Sequence, residues 1–472
     1  MDTPISRRKA LKSTINGFGW LAFAALANQE ARASDDLVPK QTHHRATAKR
    51  VIMLTMPGGP SHVDTFDYRP QLSKDDGKQG KYGNNRSAEL LGSPWKFSQH
   101  GESGLWISEL FPEIASMADD ICLLRGMHTD IPDHARAQLQ MHTGNFQFPR
   151  PSIGVWSLYG LGSESENLPG FVQLGGSGRG GGQVLSSSFL PGVYQGTSID
   201  IPRLAPTGNS MANRGRRRSR GTQSEGVANI RNPRLSPELQ RLQLDYVQSL
   251  NQEKLRRAQQ QPGVDGVIES FELAFRMQGS LPEVMDTSSE SSQTLAMYGI
   301  GNPETDEFGR KCLLARRFAE AGVRFIELAH SGAWDTHGDL RTKLPESCRQ
   351  TDAPIAGLLK DLKQRDMLKD TLVLWAGEFG RTPHAQNANG RDHNAKGYTT
   401  WMAGGGVKGG FSYGSTDEHG YEAVEGKMHI NDWHATILHL LGLNHEQLTY
   451  RYAGRDFRLT NVAGNVATDI LA

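Results

Sequence analysis

Short apolar runs alternate along this chain with longer amphipathic segments, and this alternation restricts the possible folds more than any other feature. The predicted strands are 50–56, 121–127, 170–174, 323–329, 371–376 and 399–405, and the predicted helices are 110–119, 308–322, 353–366 and 431–442. Aliphatic runs without polar alternation are typical of strands buried on both faces, and helices between them indicate βα units. We therefore expect an α/β fold around a mostly parallel sheet.

Composition excludes several classes of protein. Of 472 residues, 37% are hydrophobic and the formal net charge is +1. With a mean hydropathy of −0.53, these values describe a globular chain, and they show no overall field that would attract nucleic acid. The cysteines, Cys122, Cys312 and Cys348, are too few for a disulfide framework and have no C-x-x-C spacing, so we expect buried thiols.

The amino terminus has the layout of an export signal. The basic stretch "SRRKALK" precedes an apolar run of 11 residues, 17–27, and "ARA" ends at Ala33. This run is too short to span a membrane, for which about 20 apolar residues are needed. Arg7 and Arg8 resemble a twin-arginine signal, although Ala10 stands where that motif usually has Phe. We expect cleavage after Ala33, export by the twin-arginine machinery and a periplasmic or extracellular protein without a membrane span.

The rest of the chain is predicted to form one domain with an insertion. Residues 34–49 are polar and indicate a linker, and the domain is expected to cover 50–472. An insertion at about 203–262 holds the Arg-rich stretch 214–221 and a long polar helix, 237–261. The arginines indicate either a solvated loop or a site for an anion. The glycine run 175–182 lacks the G-K-[ST] ending of a phosphate-binding loop, so a flexible loop is the simpler interpretation.

Four segments that follow predicted strands carry most of the candidate functional side chains. They are 58–67 with Ser61, His62, Asp64 and Asp67; 127–144 with His128, Thr129, Asp130, Asp133, His134, Arg136 and His142; 330–340 with His330, Asp335, His337 and Asp339; and 377–394 with Glu378, Arg381, Asp392 and His393. Any one of these histidines is as well explained as a surface or capping residue. Together they lie at the carboxyl ends of strands in one inferred sheet, which is where α/β proteins bind ligands. Imidazoles and carboxylates suit a divalent ion such as Zn²⁺ or Mn²⁺, with Ca²⁺ as a further candidate.

Several motifs resemble the alkaline phosphatase superfamily. They are "HARAQLQMHTG" (134–144), "WDTH" (334–337), "TLVLWAGEFGRTP" (371–383), "GRDH" (390–393) and "HINDWHATILHLLGL" (429–443). More closely, the chain is similar to an uncharacterised "domain of unknown function" family of exported, sulfatase-like bacterial proteins with twin-arginine signals, which the stretch 448–464 also resembles. The resemblance implies a three-layer α/β/α sandwich with a dimetal-type site at the carboxyl edge of its sheet.

The same resemblance assigns metal ligands to individual positions. It implies one site formed by Asp335, His337 and His393, with Asp339 or Asp392. At the second site Glu378 stands where the superfamily has Asp, and Phe379, which cannot bind a metal, stands where it has His. His62 and Asp64 would replace an Asp expected near Met56 or Pro57. The second site is therefore expected to be altered or absent.

The resemblance also places His134 where sulfatases of the superfamily have their nucleophile. His134 is then a candidate metal ligand, general base or acceptor of the transferred group, and Thr129 and Ser61 are the nearby hydroxyl candidates. Arg136 and Arg381 are candidates for binding the nonbridging oxygens of the ester. Attack by a metal-activated water is the alternative to a covalent nucleophile.

Two functions remain open on the sequence. One is an exported metal-dependent hydrolase of phosphate or sulfate esters, acting on a small molecule or a polysaccharide. The other is a non-catalytic surface protein that binds a metal or an anionic glycan on an altered phosphatase-like fold. A serine hydrolase using Ser61 is disfavoured because the chain has no G-x-S-x-G elbow around it.

Overall fold

The computed structural model describes residues 37–80, 82, 88–175, 182–201, 235–257, 262–387 and 389–472. Its strands are β1 Arg50–Thr55, β2 Phe97–His100, β3 Leu105–Ser108, β4 Ile121–His128, β5 Phe171–Leu174, β6 Thr197–Ile199, β7 Phe325–Ala329, β8 Thr371–Ala376, β9 Gly380–Gln386, β10 Gly390–Asn394, β11 Tyr398–Ala403, β12 Phe411–Tyr413, β13 Ser415–Thr416, β14 Ala423–Glu425, β15 Met428–His429, β16 Tyr450–Tyr452 and β17 Arg455–Phe457.

The α-helices are mostly interposed between strands of the central sheet. They are α1 His62–Thr65, α2 Pro70–Lys74, α3 Pro112–Ala115, α4 His134–Thr143, α5 Ile153–Leu161, α6 Pro237–Arg257, α7 Pro262–Met285, α8 Ser292–Met297, α9 Asp306–Glu320, α10 Leu340–Gln364 and α11 Ile430–Leu440. Short 3₁₀ helices are found at Ala118–Asp120, Gly192–Tyr194, Leu368–Asp370 and Thr468–Ile470.

A nine-stranded sheet forms the centre of the molecule. Its strand order is β12-β4-β11-β8-β1-β7-β5-β6, and β15 pairs with β4 beside this path. All its pairings are parallel except the two made by β11, which runs antiparallel to both β4 and β8. The carboxyl ends of β1, β4, β7 and β8 therefore meet at one edge of the sheet.

Helices cover both faces of this sheet. On β1, Ile52 and Leu54 face one apolar cluster, which includes Phe308 and Leu313 of α9 and Leu358 of α10. Val51 and Met53 face a second cluster, which includes Trp156 of α5 and Trp433 of α11. Alternate residues of one strand thus enter two separate cores, because successive side chains of a strand point to opposite faces. The expected α/β/α sandwich with a mostly parallel sheet is confirmed.

The predicted strands all belong to the central sheet, within two residues of their expected ends. Two of the predicted helices differ more. Segment 110–119 contains only the single turn α3 and a 3₁₀ turn, and α10 begins 13 residues earlier than the expected start at 353, since it starts at 340. It contains Pro345 and Pro354, although proline is unfavourable inside a helix.

The structure describes only part of the predicted outer segments. The export signal, 1–33, and the Arg-rich stretch, 214–221, lie outside the described residues, as does most of the glycine run. The described part of the predicted linker, 37–49, lies against the domain, where Thr47 and Ala48 donate backbone hydrogen bonds to Leu440. In the predicted insertion, α6 ends at Arg257, and α7 follows it and contacts α9. None of the helices among the described residues combines the length and apolar character needed to cross a membrane.

Candidate metal centre

Four side chains from three post-strand segments converge at the carboxyl edge of the sheet. His134 is the first residue of α4, after β4; Asp335 and His337 follow β7; and His393 lies on β10, after β8. Each residue offers one ligand atom, and these atoms all lie within 4.8 Å of one another. Among the described residues, no other group of this kind is present. We call these four residues the metal cluster.

The contacts within the metal cluster are made by Nε2 atoms and by the Asp335 carboxylate. His134 Nε2 lies 3.1 Å from Asp335 Oδ2, and His337 Nε2 lies 3.1 Å from Asp335 Oδ1. His393 Nε2 is 3.6 Å from the same Oδ1 and 2.8 Å from His337 Nε2. The cluster thus brings three imidazole nitrogens around one carboxylate.

The other ring nitrogen of each imidazole meets an acceptor. His134 Nδ1 lies 2.6 Å from Glu378 Oε1, and His393 Nδ1 lies 2.8 Å from the carbonyl oxygen of Pro132. His337 Nδ1 pairs with the side-chain oxygen of Gln386. A neutral imidazole whose Nδ1 donates a hydrogen bond presents the lone pair of Nε2, so in their neutral forms these three rings could direct their Nε2 atoms at one cation.

Arg381 fixes the carboxylate at the centre of the cluster. Its Nη2 lies 2.6 Å from Asp335 Oδ1, and its other donors go to the carbonyl oxygens of Gly58, Gly59 and Arg391. Burial opposes the charged form of Asp335, but contacts from His134, His393 and Arg381 outweigh it and hold the pKa of this carboxyl well below its usual range. These contacts therefore favour the carboxylate form of Asp335.

Glu378 contacts the Nδ1 side of the His134 ring, whereas the metal cluster lies on the Nε2 side. It is buried, and its oxygens accept the backbone N–H of Gly58 at 2.9 and 3.2 Å. Burial by itself lowers the pKa of His134, but the carboxylates of Asp335 and Glu378 outweigh burial and raise it. Carboxylate, imidazole and metal in series is a common arrangement of metal sites, in which the carboxylate orients the ring.

Phe379 occupies the position where the superfamily resemblance expects a histidine. It is fully buried, and its ring packs against the rings of His134 and His393, with centroids 4.9 and 4.6 Å away. Its neighbour Gly59 leaves just enough space, since a Cβ there would lie 2.6 Å from the Phe379 ring. Phe379 thus forms an apolar wall of the cluster.

His62 and Asp64 lie outside the cluster. Asp64 is fully buried and accepts two hydrogen bonds from Arg391, at 2.7 and 3.0 Å, and one from the hydroxyl of Ser61. His62 Nε2 is 2.7 Å from the carbonyl oxygen of Gly420, and burial lowers the pKa of His62. Both carboxylate oxygens of Asp64 are thus used by a buried ion pair, and we do not include Asp64 or His62 in the metal set.

The remaining candidates have varied surroundings. Thr129 donates its hydroxyl to Gln140 Oε1 at 2.9 Å, so this oxygen is already engaged. Asp392 is about half exposed; its carboxylate accepts the backbone N–H of His393 at 2.8 Å and lies 3.9 Å from His337 Nδ1, so it faces no Nε2 atom of the cluster at contact distance. Asp339 precedes α10 in a left-handed conformation and is exposed. Arg136 is exposed on the first turn of α4, two residues after His134.

Two features of the site were not predicted from the sequence. The first is that "GRDHN", expected to be a loop, is strand β10, paired antiparallel with β9 so that His393 lies opposite Arg381. The second is the role of Gln386 and Pro132 as partners of imidazole Nδ1 atoms. Any residue can supply a backbone carbonyl, so the identity of Pro132 did not predict its contact with His393. Gln386 lies in a polar stretch whose spacing does not resemble that of metal ligands.

Comparison with solved structures found several proteins to which this chain is similar. The structure is similar to a protein in the alkaline phosphatase superfamily from Vibrio parahaemolyticus, with 10% identity over 94% of this chain and 78% of that chain and a TM-score of 0.31. It is similar to the PsFucS1 sulfatase from Pseudoalteromonas sp., with 12% identity over 85% and 69% of the two chains and a TM-score of 0.33. It is also similar to a variant of TAB5 alkaline phosphatase, with 12% identity over 86% and 100% of the two chains and a TM-score of 0.34.

Sequence comparison defines the family more directly. A search of curated protein sequences found no match. A family described as "Protein of unknown function (DUF1501)" matches residues 48–471, from just before β1 to one residue from the end of the sequence. The chain therefore belongs to the DUF1501 family.

Proposed function

We propose that this protein is an exported, metal-dependent hydrolase of phosphate or sulfate esters. In this proposal one divalent ion is held by His134, Asp335, His337 and His393. The observation that carries the proposal is the convergence of three imidazole Nε2 atoms on one carboxylate, with every Nδ1 engaged by an acceptor. Two Nε2 lone pairs 2.8 Å apart repel each other unless a cation or a proton lies between them.

The donor set favours some metals over others. Three imidazole nitrogens and one carboxylate are ligands for Zn²⁺ or Mn²⁺, whereas Ca²⁺ takes six to eight oxygen ligands. The outer partners Glu378, Gln386 and Pro132 resemble the second shells that orient histidines in metal sites. We therefore propose Zn²⁺ or Mn²⁺ rather than Ca²⁺.

The side chains around the cluster favour attack by water. A bound divalent ion would polarise the ester and activate a water molecule near neutral pH. The hydroxyls of Thr129 and Ser61 already donate to Gln140 and Asp64, and His134 contributes its Nε2 to the cluster. Neither hydroxyl belongs to the metal cluster, so water bound at the cluster is our preferred nucleophile.

Arg136 is the better of the two arginine candidates for binding the ester anion. Arg381 is fully buried, and each of its three side-chain nitrogens already donates to Asp335 or to a carbonyl oxygen. Arg136 is exposed, lies two residues after His134 in the first turn of α4, and forms no ion pair with any described residue. A guanidinium with free donors can bind two oxygens of a phosphate or sulfate group at once.

A non-catalytic metal-binding or glycan-binding protein is the second candidate, and one observation favours it. The position where the superfamily resemblance expects a second-site histidine is occupied by Phe379, and Asp64 is used by Arg391. A single metal would then have to do the work that the superfamily divides between two.

Metal content and turnover test the proposal together. We expect the purified protein to carry about one metal per chain, as counted by elemental analysis, and to hydrolyse an aryl phosphate or an aryl sulfate. His393→Ala should lose both properties, whereas His100→Ala, on the β2–β3 hairpin away from the cluster, should keep them. Metal without turnover of either ester would support the non-catalytic candidate. A metal-free protein whose His393→Ala variant behaves like the wild type would exclude both the hydrolase and a metal-binding role.

We propose export through the segment 1–33 on the sequence pattern alone. Cell fractionation checks it: replacing Arg7 and Arg8 by Lys should leave the protein in the cytoplasm with its signal uncleaved. Normal export of that variant would contradict a twin-arginine route.

A further inference from the structure

The hairpin of β16 and β17 forms a second surface with the chemistry of a binding site. It brings together Tyr452, Arg455 and Phe457 with Phe189, which precedes β6, and Arg150, which follows α4. We call these five residues the hairpin patch. We propose that the hairpin patch binds an anionic polysaccharide, one whose sugar rings carry sulfate or phosphate groups. This proposal does not depend on hydrolysis at the metal cluster.

Stacked aromatic rings form the apolar part of the patch. Phe189 stacks on Tyr452 with centroids 5.3 Å apart and planes 18° apart, and it also contacts Phe457 at 4.8 Å. Tyr452 is 42% exposed. A tyrosine held by stacking on one side offers a rigid ring with an apolar body and a polar tip, at little further cost in side-chain entropy on binding.

Two arginines lie against the same phenylalanine ring. The guanidinium of Arg150 lies 5.3 Å from the centroid of Phe457, and that of Arg455 lies 5.0 Å from it. Such contacts hold a guanidinium in place but leave its charge uncompensated. The patch thus presents two fixed positive charges beside an aromatic surface.

Neither arginine has an anionic partner among the described residues. Arg455 donates to the side-chain oxygen of Asn461 at 2.8 Å, which is neutral. Nη1 of Arg150 is buried and has no hydrogen-bond partner. Burial and then repulsion from Arg455 lower the pKa of Arg150. Buried donors without partners are costly, so an anion that reached both guanidiniums would relieve an existing penalty.

Other arginines near the hairpin do have carboxylate partners. Arg451, on β16, pairs with Asp456 at 3.2 Å, and Arg458 pairs with Glu446 at 3.3 Å. The hairpin region therefore contains carboxylates, but none of them is placed at Arg150 or Arg455. The unpaired charge is confined to the two arginines that border the aromatic stack.

An anionic polysaccharide fits this combination better than a nucleic acid. Sugar rings present C–H groups that pack on an aromatic face, and guanidinium groups bind sulfate or phosphate oxygens in pairs. Proteins that bind single-stranded nucleic acids rely on a positive groove that follows the backbone, whereas this chain has a net charge of only +1. Two arginines beside one exposed ring match a short charged stretch of polysaccharide.

The hairpin patch is separate from the metal cluster. His134 begins α4 at the carboxyl edge of the sheet, and the helix runs ten residues, from His134 to Thr143, before the chain reaches Arg150. The rise along that helix is about 13 Å at 1.5 Å per residue, and the hairpin patch shares no residue with the metal cluster. Polysaccharide bound at the hairpin patch would hold the protein on a polymer without occupying the metal cluster.

Binding to dextran sulfate, with unmodified dextran as the neutral comparison, tests the proposal. Affinity is measured by titration calorimetry at physiological ionic strength on the full mature chain. We expect dextran sulfate to bind and dextran not to. Arg455→Ala and Tyr452→Ala should each weaken binding by about tenfold, as expected for loss of one charge-assisted or stacking contact. Their melting temperatures and metal contents should stay at wild-type values.

Arg451→Ala is the matched control, because it removes an exposed arginine of the same hairpin that already has a carboxylate partner. It should keep at least half of the wild-type affinity. Equal losses in Arg451→Ala and Arg455→Ala would overturn the proposal, since they would indicate attraction to net charge alone. So would binding of a single-stranded oligonucleotide in preference to dextran sulfate, or a dimer in sedimentation that Tyr452→Ala converts to a monomer.

Discussion

Glu378 lies behind the metal cluster and acts on it through His134. We expect Glu378→Gln to weaken metal affinity by about 10-fold to 100-fold, which is the usual effect of removing an outer carboxylate from a ligating histidine. The amide can still accept from Gly58, so the fold should persist, but it is a weaker acceptor for the His134 Nδ1–H at 2.6 Å. Competition with a chromogenic chelator measures the affinity.

Asp392→Asn is the comparison for this prediction. Asp392 belongs to the same segment and was a candidate ligand on the sequence, but its carboxylate is about half exposed and comes no nearer to His337 than 3.9 Å. Its substitution should change metal affinity less than threefold. A larger loss of metal affinity in Asp392→Asn than in Glu378→Gln would mean that the four residues assigned as ligands are not the correct set.

Residue type alone could not separate the charged groups that form the cluster from those that support the fold. Asp64 and Arg381 are charged and follow predicted strands, as Asp335 does, and the sequence predicts all three near the site; Arg391 lies in the same segment as Arg381. In the structure, Asp64 and Arg391 form a fully buried ion pair, and Arg381 joins the Gly58 and Gly59 carbonyls to Asp335. Asp64 and Arg391 are more than 300 residues apart in the chain, so local sequence patterns could not predict that they form an ion pair.

At the scale of elements, the β9–β10 hairpin positions two members of the metal cluster. His393 lies on β10, and a Cβ at Gly390 would come within 2.1 Å of the carbonyl oxygen of His337. We expect Gly390→Ala to lower the free energy of unfolding by about 1–3 kcal/mol, the usual cost of overpacking, and to weaken metal binding because His337 must move. Denaturant unfolding and metal titration measure the two effects.

Gly279→Ala provides a matched glycine substitution on α7. Nothing lies within 4 Å of a Cβ at this position. It should leave metal affinity unchanged and leave stability unchanged or raise it by up to about 1 kcal/mol, because alanine restricts the unfolded chain. Wild-type metal affinity in Gly390→Ala would show that the close approach at His337 is not needed by the cluster.

Elements of the central sheet were predictable because each is a continuous apolar run, and burial on both faces leaves that pattern in the sequence. The β9–β10 hairpin was not, since "GRTPHAQNANGRDHN" is polar and contains a proline within β9. Its strands are held by the turn and by buried arginines rather than by alternating apolar residues. Helix α10 was predicted too short for a related reason: Pro345 and Pro354 interrupt its pattern, while Leu344 and Ile355 still pack into the core.

At the scale of the whole molecule, strand order explains why the cluster forms where it does. The chain places β1 at the centre, then adds β7 on one side and β8 on the other, both parallel to it. The segments that follow β7 and β8 therefore begin at the same edge of the sheet, one on each side of β1. Open α/β sheets bind ligands at this edge. The antiparallel β11 separates β8 from β4, yet β4 keeps the common direction, so α4 begins at the same edge with His134.

The pH dependence of the free energy of unfolding is also a property of the whole molecule, and we expect Asp352 to contribute to it. Asp352 joins α10 to α3 by accepting the backbone N–H groups of Glu113 and Ile114 at 2.9 and 2.8 Å. Burial raises its pKa to about 6, although these two hydrogen bonds oppose the rise. The folded protein therefore binds this proton more tightly than the unfolded chain, in which the pKa is about 4. As pH rises from about 4 to about 6, the folded state loses the advantage that protonation gave it.

We expect Asp352→Asn to gain stability relative to the wild type over this interval, by up to about 3 kcal/mol between pH 4 and pH 7, since each pKa unit corresponds to about 1.4 kcal/mol. Urea unfolding of both proteins across this range measures the difference. Asp119→Asn should show the opposite sign. Backbone hydrogen bonds from Ser103 and Glu102 lower the pKa of Asp119, so its contribution is present above the unfolded pKa and is lost as pH falls through the lower folded value. A difference between wild type and Asp352→Asn that stays constant with pH would show that the pKa of Asp352 is the same in the folded and unfolded states, so that burial does not raise it at the α3–α10 contact.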